Sequence, residues 1–359
     1  MASAGSVGIG RIYGIPIELN WIFVLMILFF FLLSPAFGII LILLFVCVLI
    51  HELAHSVTAI RNRVKVSRIV LLPFGGASVI DTTKINSRVE FNISIAGPLM
   101  SLFLGGVFGI IAVVLPPGPI EQVVNELFIL NIFLGAFNII PAFPMDGGRI
   151  FRSWLEKKRS FYDATMLTAT VSRVVLAIII LTTIGFALFY TSYSLGYRVY
   201  VVAITLIIVV FLYGGLQAEV GSVSIRKETA GMKVGAAASK HFTYMEPDAT
   251  IEELYEKVRS SGEHTIITKV GDSYGIVNLA RAKKGVVYTV SQISVPIITI
   301  DANASVSDGM SKLTAADVGI AAVKRGRTLV GVLSYQQLQT LISLHMLQKR
   351  RENASASSG

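Results

Sequence analysis

The stretch Cys47–Ile60, CVLIHELAHSVTAI, sets two histidines and a glutamate inside a long apolar run. His51 and His55 stand four residues apart, so on a helix both imidazoles project from one face. Each ionisable group near the centre of a membrane helix costs about 2.5–3.5 kcal/mol on insertion scales, so three together need a metal, partners or water. A chance H-E-x-x-H arises in very roughly one chain of this length in a hundred. The apolar setting makes chance a poor explanation here. Two neutral imidazoles at this spacing reach one tetrahedral zinc, and Glu52 is placed to act as general base on a zinc-bound water whose pKa the metal lowers to about 7.

Composition supports the membrane reading. The 359 residues are 53% hydrophobic and 15% charged, with mean hydropathy +0.70, whereas soluble domains carry about 25% charged residues. One cysteine, Cys47, excludes an internal disulfide framework and a cysteine-based zinc ribbon. Cys47 lies one turn before His51 and reads as a small packing residue. The net charge of +9 does not indicate nucleic acid, because the basic residues cluster beside apolar runs. The first apolar run follows only Arg11 and leads into further membrane segments, so it reads as a retained helix and not a cleaved signal.

Six segments are expected to span the bilayer, near 18–33, 39–60, 90–115, 122–145, 166–190 and 197–218. The connections SPAFG and PPGPIEQVVNE carry no Lys or Arg, and the turn after the fifth segment has only Arg198. Arg61–Arg88 carries six basic residues and Arg149–Arg159 carries five. The positive-inside rule therefore puts these two regions, both chain ends and the C-terminal region in the cytoplasm of a multi-pass cell-membrane protein. Between segments two and three, VKVSRIVLLPFGGASVI (64–80) reads as short strands around the Gly75-Gly76 turn. Two placements are open: a hairpin resting on the bilayer surface, or a strand pair dipping to membrane depth with its backbone satisfied by protein or water.

The remaining chain divides by composition. Residues 1–10 and 346–359 are expected to be disordered tails, 11–218 the membrane domain, 219–233 a linker, and 234–345 a soluble α/β unit. That unit holds a weak internal repeat. DATIEELYEKV, HTIITK and YGIVNLARA match NASVSDGMSKL, VGIAAVK and LVGVLSYQQL, with a shift of 55 residues at Ile251/Val306 and 56 at Gly275/Gly331. Each copy is expected to run strand, helix, strand, strand, helix, the two stacking on a shared core. This resembles a tandem pair of CBS domains, a regulatory module that commonly binds adenine nucleotides and forms homodimers. Typical nucleotide-binding copies end in an aspartate that holds the ribose. Here Arg281 and Gln337 occupy those places, which implies weak or atypical nucleotide binding.

Two histidines leave a zinc short of a ligand. His51 lies about 15 Å of helix rise from the cytoplasmic arginines, so a partner should sit toward the cytoplasmic end of another segment. Glu121 and Glu126 are on the wrong side. Glu18, Asp81 and Glu90 remain open, and Asp146 in NIIPAFPMDGGRI is favoured, because Pro141 and Pro144 break the fourth segment and Gly147-Gly148 lets the chain bend.

HELAH in a membrane helix followed by N-x-x-P-x-x-P-x-D-G-G (Asn138–Gly148) resembles the site-2 protease family of intramembrane zinc metalloproteases, in its prokaryotic subgroup with C-terminal CBS domains. The resemblance spans Arg11 to His345. It implies His51, His55 and Asp146 as ligands of one zinc, Glu52 as the catalytic glutamate, and Asn138 as a group that polarises the scissile carbonyl or oxyanion. AGPLMS (Ala96–Ser101) resembles the family's third-helix motif, with Gly97 and Ser101 allowing close packing beneath the site. The expected activity is hydrolysis of peptide bonds in or near transmembrane segments of other membrane proteins, with fragment release to the cytoplasm. The competing reading is a CBS-regulated transporter or channel, which needs no H-E-x-x-H with a matching proline-flanked aspartate. A third, a catalytically silent scaffold, is disfavoured because every expected catalytic residue is present.

Overall fold

Pro16 and Asn20 decide how the chain begins. The computed structural model describes residues 5–73, 75–80, 85–263, 265–281, 288–316 and 319–357, and places β1 (Ser6–Ile12) and β2 (Ile15–Asn20) ahead of the first helix. The strands pair antiparallel across Tyr13-Gly14, both at positive φ, as a two-residue hairpin turn requires. Asn20 then caps α1 (Trp21–Leu33), its side chain accepting from the Ile22 amide. Residues 18–20 of the helix expected over 18–33 are thus strand. Its 13 helical residues rise only about 20 Å, short of a ~30 Å hydrocarbon core. Residues 6–10, expected in a disordered tail, fall within β1 because its partner strand lies one tight turn away.

Five further helices among the described residues are long and apolar enough to cross a bilayer: α2 (Pro35–Arg61), α3 (Ser87–Val114), α4 (Pro119–Ile139), and, beyond the short α5 (Asp146–Leu155), α6 (Phe161–Phe189) and α7 (Leu195–Glu228). Ser34, Asn86 and Ser160 cap α2, α3 and α6 through side-chain oxygens. Helix α4 stops six residues before the expected 145, and the chain crosses Pro141 and Pro144 before α5 restarts at Asp146. Glycines set how closely α3 and α4 pack. A Cβ on Gly105 would stand 2.7 Å from Ile132 Cδ1, and one on Gly135 2.8 Å from Leu102 Cγ. Membrane helices gain by such close approach, since lipid offers no hydrophobic drive for association.

β3 (Val66–Leu72) and β4 (Gly75–Ile80) form the expected hairpin. β3 also pairs in parallel with β2, Ile17 opposite Ile69, giving the sheet order β1-β2-β3-β4. Phe23, Phe45, Val48 and Leu71 pack as one buried cluster, fixing the sheet to α1 and α2.

The contacts divide the chain into Met1–Ser224 and Ile225–Gly359. Residues 219–228, expected in a linker, continue α7, and the turn comes at Gly231 with φ +90°. In the second unit, after the single turn α8 (Val234–Ala237), two copies repeat one topology: β5 (Thr243–Tyr244), α9 (Ile251–Ser261), β6 (Ile266–Val270), β7 (Ser273–Val277), then β8 (Ser294–Asp301), α10 (Val306–Ala315), β9 (Ile320–Arg325), β10 (Thr328–Ser334) and α11 (Tyr335–Ser357). In each copy the first strand is parallel to the second and the second antiparallel to the third. β7 and β8 join the copies into one six-stranded sheet. Where the first copy should close with a helix, the described residues show a 3-10 turn, Leu279–Arg281. Helix α11 runs to Ser357, through most of the expected C-terminal tail.

Candidate metal centre

The apolar face of α2 turns His51 and His55 inward, 4% and 6% exposed. Their Nε2 atoms stand 3.1 Å apart. Asp146, the first residue of α5, brings Oδ2 to 3.2 Å from His51 Nε2 and 3.1 Å from His55 Nε2. Of the other carboxylates considered, Glu18 accepts from Ser6 Oγ and lies 3.9 Å from the Arg68 guanidinium, and Glu90 pairs with Arg152. Both are committed elsewhere. Asp81 lies outside the described residues.

The tautomers follow from the outer nitrogens. His55 Nδ1 contacts the Ile93 carbonyl at 2.6 Å, and a carbonyl only accepts, so Nδ1 donates and a neutral ring presents a bare Nε2. His51 Nδ1 meets Ser101 Oγ at 2.8 Å, which allows the same tautomer. Two lone pairs and a carboxylate oxygen then converge with no proton between them. Bonds of about 2.0–2.1 Å to a tetrahedral zinc would set such donors about 3.3–3.4 Å apart, close to the observed triangle. Among the described residues this group could hold a metal ion. The donor set fits zinc.

Small residues keep this space open. A Cβ at Gly97 would fall 2.6 Å from His51 Nε2. Gly147 lies on the Ile139 and Ile140 carbonyls, and a Cβ at Gly148 would meet the Ala142 and Phe143 backbone at 2.7 Å. The Phe143 amide donates to Ser172 Oγ of α6 at 2.8 Å, and Pro144 rests on Gly215 of α7. Beyond Asp146, Arg149 and Arg152 both reach Glu219 of α7, at 2.7 and 3.2 Å, and Arg152 also binds Glu90 of α3. The Arg152 guanidinium lies between the Phe143 and Phe161 rings. Helix α5 is therefore tied to α3 and α7, with the buried Arg152 at the centre, where loss of an acidic partner strands its charge.

Glu52 faces β4. Its Oε2 accepts from Ser78 Oγ at 2.6 Å, and Ser78 also contacts Ser56 Oγ at 3.1 Å. A Cβ at Gly76 would stand 2.9 Å from Glu52 Cδ. Of the two placements open for 64–80, the contact puts β4 alongside the HELAH turn. Asn138 is not drawn into the cluster; its Nδ2 donates to Leu134 O on its own helix at 2.9 Å. Sequence reasoning assigned Ser101 to packing alone and gave no role to Ser78, Arg152 or Glu219. A polar residue in AGPLMS was the available signal for Ser101, whereas nothing in the sequence pairs Ser78 with Glu52.

Ser101→Ala should weaken zinc affinity about 10–100-fold, the usual effect of losing an outer hydrogen bond to a histidine ligand. Chelator competition on the full-length protein measures it. Undiminished affinity would show that Ser101 does not orient His51.

Comparison at the family level matches Peptidase family M50 over residues 39–126 and 117–182. A zinc metalloprotease of Methanocaldococcus jannaschii is 34% identical over 260 residues, covering 70% of this chain and 71% of that protein. Among solved structures, a site-2 protease from M. jannaschii shares 34% identity, covering 60% of this chain and 95% of that one, with a TM-score of 0.45. The CBS domain of a bacterial CNNM/CorC family Mg2+ transporter in complex with ATP matches 34% of this chain and 94% of its own at 16% identity and a TM-score of 0.29. On the match to the M. jannaschii metalloprotease, the chain belongs to peptidase family M50, the site-2 protease family of zinc metalloproteases.

Proposed function

We propose that this metalloprotease hydrolyses peptide bonds in or beside transmembrane segments of other membrane proteins. The observation that carries the proposal is the convergence of His51, His55 and Asp146 beside Glu52, on elements set among helices long enough to span a bilayer. One zinc per chain would be held by those three residues, and when bound it supplies Lewis acidity to a water and to the scissile carbonyl. Glu52 accepts the proton of the attacking water and returns it to the departing amide nitrogen. Ser78 keeps that carboxylate turned toward the strand side of α2. Asn138 has a second amide hydrogen beyond the one given to Leu134 O, available to the substrate carbonyl oxygen.

Substrate reaches this site extended. A helical segment holds its amides in i to i−4 bonds and shields its carbonyls, whereas β4 ends the sheet order next to Glu52 and offers backbone groups for strand addition. The basic regions Arg61–Arg88 and Arg149–Arg159 support a cytoplasmic placement of both termini and of the C-terminal unit. α1 with β2 would complete a sixth crossing.

The C-terminal unit, read as a tandem CBS pair over 234–345, serves as a docking or homodimerisation platform with weak affinity for adenine nucleotides. Arg281 spends its Nη1 on the Ser294 carbonyl at 2.9 Å. Gln337 and Ser334 cap α11 reciprocally, Oε1 with the Ser334 amide and the Ser334 hydroxyl with the Gln337 amide. Neither position offers a free carboxylate for ribose hydroxyls.

Zinc analysis and cleavage of a single-span model substrate test the central reading. Asp146→Ala should lose metal and activity together, and Glu52→Gln should keep metal while losing cleavage. Full zinc occupancy in Asp146→Ala would move the third ligand to another carboxylate. In the same assay, Gly or Pro placed near the cut site should raise the rate, and equal cleavage of an uninterrupted leucine helix would rule out prior unwinding. Calorimetry of the full-length protein with ATP, ADP and AMP should show no low-micromolar affinity; finding one for any of the three overturns the account of the C-terminal unit.

A further inference from the structure

The end of α7 remote from Glu219 carries a second polar feature that the hydrolytic site does not use. Arg198 lies in a groove of about 270 Å³ between the end of α6 and the start of α7, lined by Ala187, Val199, Val202, Ala203 and Leu206 among others. Every lining residue except Arg198 is apolar. Its Nη1 donates to the Ala187 carbonyl at 2.8 Å. Its Nε is buried and has no hydrogen-bond partner among the described residues. A guanidinium has five donors and no acceptor, and a buried donor left unmet costs stability. Nη2 makes no hydrogen bond among the described residues either, and an anionic oxygen would complete it.

The position says which anion. Arg198 and Glu219 stand 21 residues apart on one helix, about 31 Å, which matches the thickness of the hydrocarbon core. With Glu219 at one face of the bilayer, Arg198 would lie at the level of lipid phosphates on the other. Around it Tyr190, Tyr193, Tyr197 and Tyr200 are half exposed, with the Tyr193 and Tyr197 rings 5.0 Å apart and Phe186 against Tyr190 and Tyr193. Tyrosines concentrate in this way at the membrane–water interface. Val199, Val202, Ala203 and Leu206 recur at the spacing of one helix face, giving an apolar track away from the cation. The volume is below the roughly 300–1,000 Å³ usual for soluble small-molecule pockets, and the wall has no second polar group to orient a metabolite.

We propose that this groove binds one phospholipid, its phosphodiester on Arg198 and an acyl chain along Val199, Val202, Ala203 and Leu206. The phosphate oxygens meet the outer guanidinium nitrogen Nη2 in charge-assisted bonds, while the acyl chain covers the track. The site is distinct from the metal centre.

The test is native mass spectrometry of the delipidated full-length protein titrated with phosphatidylglycerol. The wild type should bind one molecule preferentially. Arg198→Gln can keep a hydrogen bond to Ala187 O but removes the charge, and should weaken binding about tenfold or more, the worth of a charged hydrogen bond. Ala203→Phe fills the track without touching the cation and should weaken it similarly, with zinc content unchanged in both. A diacylglycerol lacking phosphate should bind no better to wild type than to Arg198→Gln, and millimolar inorganic phosphate should not displace the lipid. Equal binding by wild type and both variants overturns the proposal. Displacement by inorganic phosphate overturns it in favour of a soluble-anion site.

Discussion

Two imidazole lone pairs and a carboxylate oxygen held about 3 Å apart in an apolar interior repel one another, and the rest of the membrane unit is arranged to keep them there. Ser101 and the Ile93 carbonyl take the outer nitrogens, which fixes where the lone pairs point. Gly97 leaves room for them, and Gly147-Gly148 lets the chain turn into α5 directly after Pro144. A cation relieves the repulsion that these groups create.

The sheet beside α2 solves a different problem. Backbone amides inside a bilayer must be satisfied by protein or water, so an isolated hairpin over 64–80 would be costly. β1 and β2 supply the missing neighbours on one side of β3, and α2 covers β4. That leaves one strand beside Glu52 whose outer edge is not paired within the sheet order. The arrangement satisfies the backbone on both sides of β3 within the protein.

How much of this could be read in the sequence depends on the range of the interaction concerned. HELAH declares itself because its spacing is local and its setting is apolar. The aspartate after Pro141 and Pro144 is legible because prolines end helices wherever they fall. The tandem repeat is visible because its two hydrophobic patterns align at nearly constant offset. Pairing of Ile17 with Ile69 is not visible, since parallel strands so far apart leave no local mark, and the first segment therefore reads as one helix. Ser78 was read only as part of a strand, and nothing in the sequence says that its hydroxyl meets Glu52. Arg152 reads as one more cytoplasmic charge, although it is 5% exposed and bound on two sides. Buried polar partners are set by tertiary geometry.

Asp146 is the first residue of a ten-residue helix moored at its fourth and seventh residues, Arg149 and Arg152. Any displacement of the carboxylate would therefore carry the helix with it, about 9 Å from Asp146 to Arg152. A tilt of about 6° at the moored end carries the oxygen about 1 Å at the tip. Zinc bonds tolerate about 0.2 Å, so a tilt this small would be enough to take Asp146 out of reach of a metal held by His51 and His55. Mechanically, the short helix is a crank, and Glu219, one residue on a helix that continues nine residues further, is its bearing.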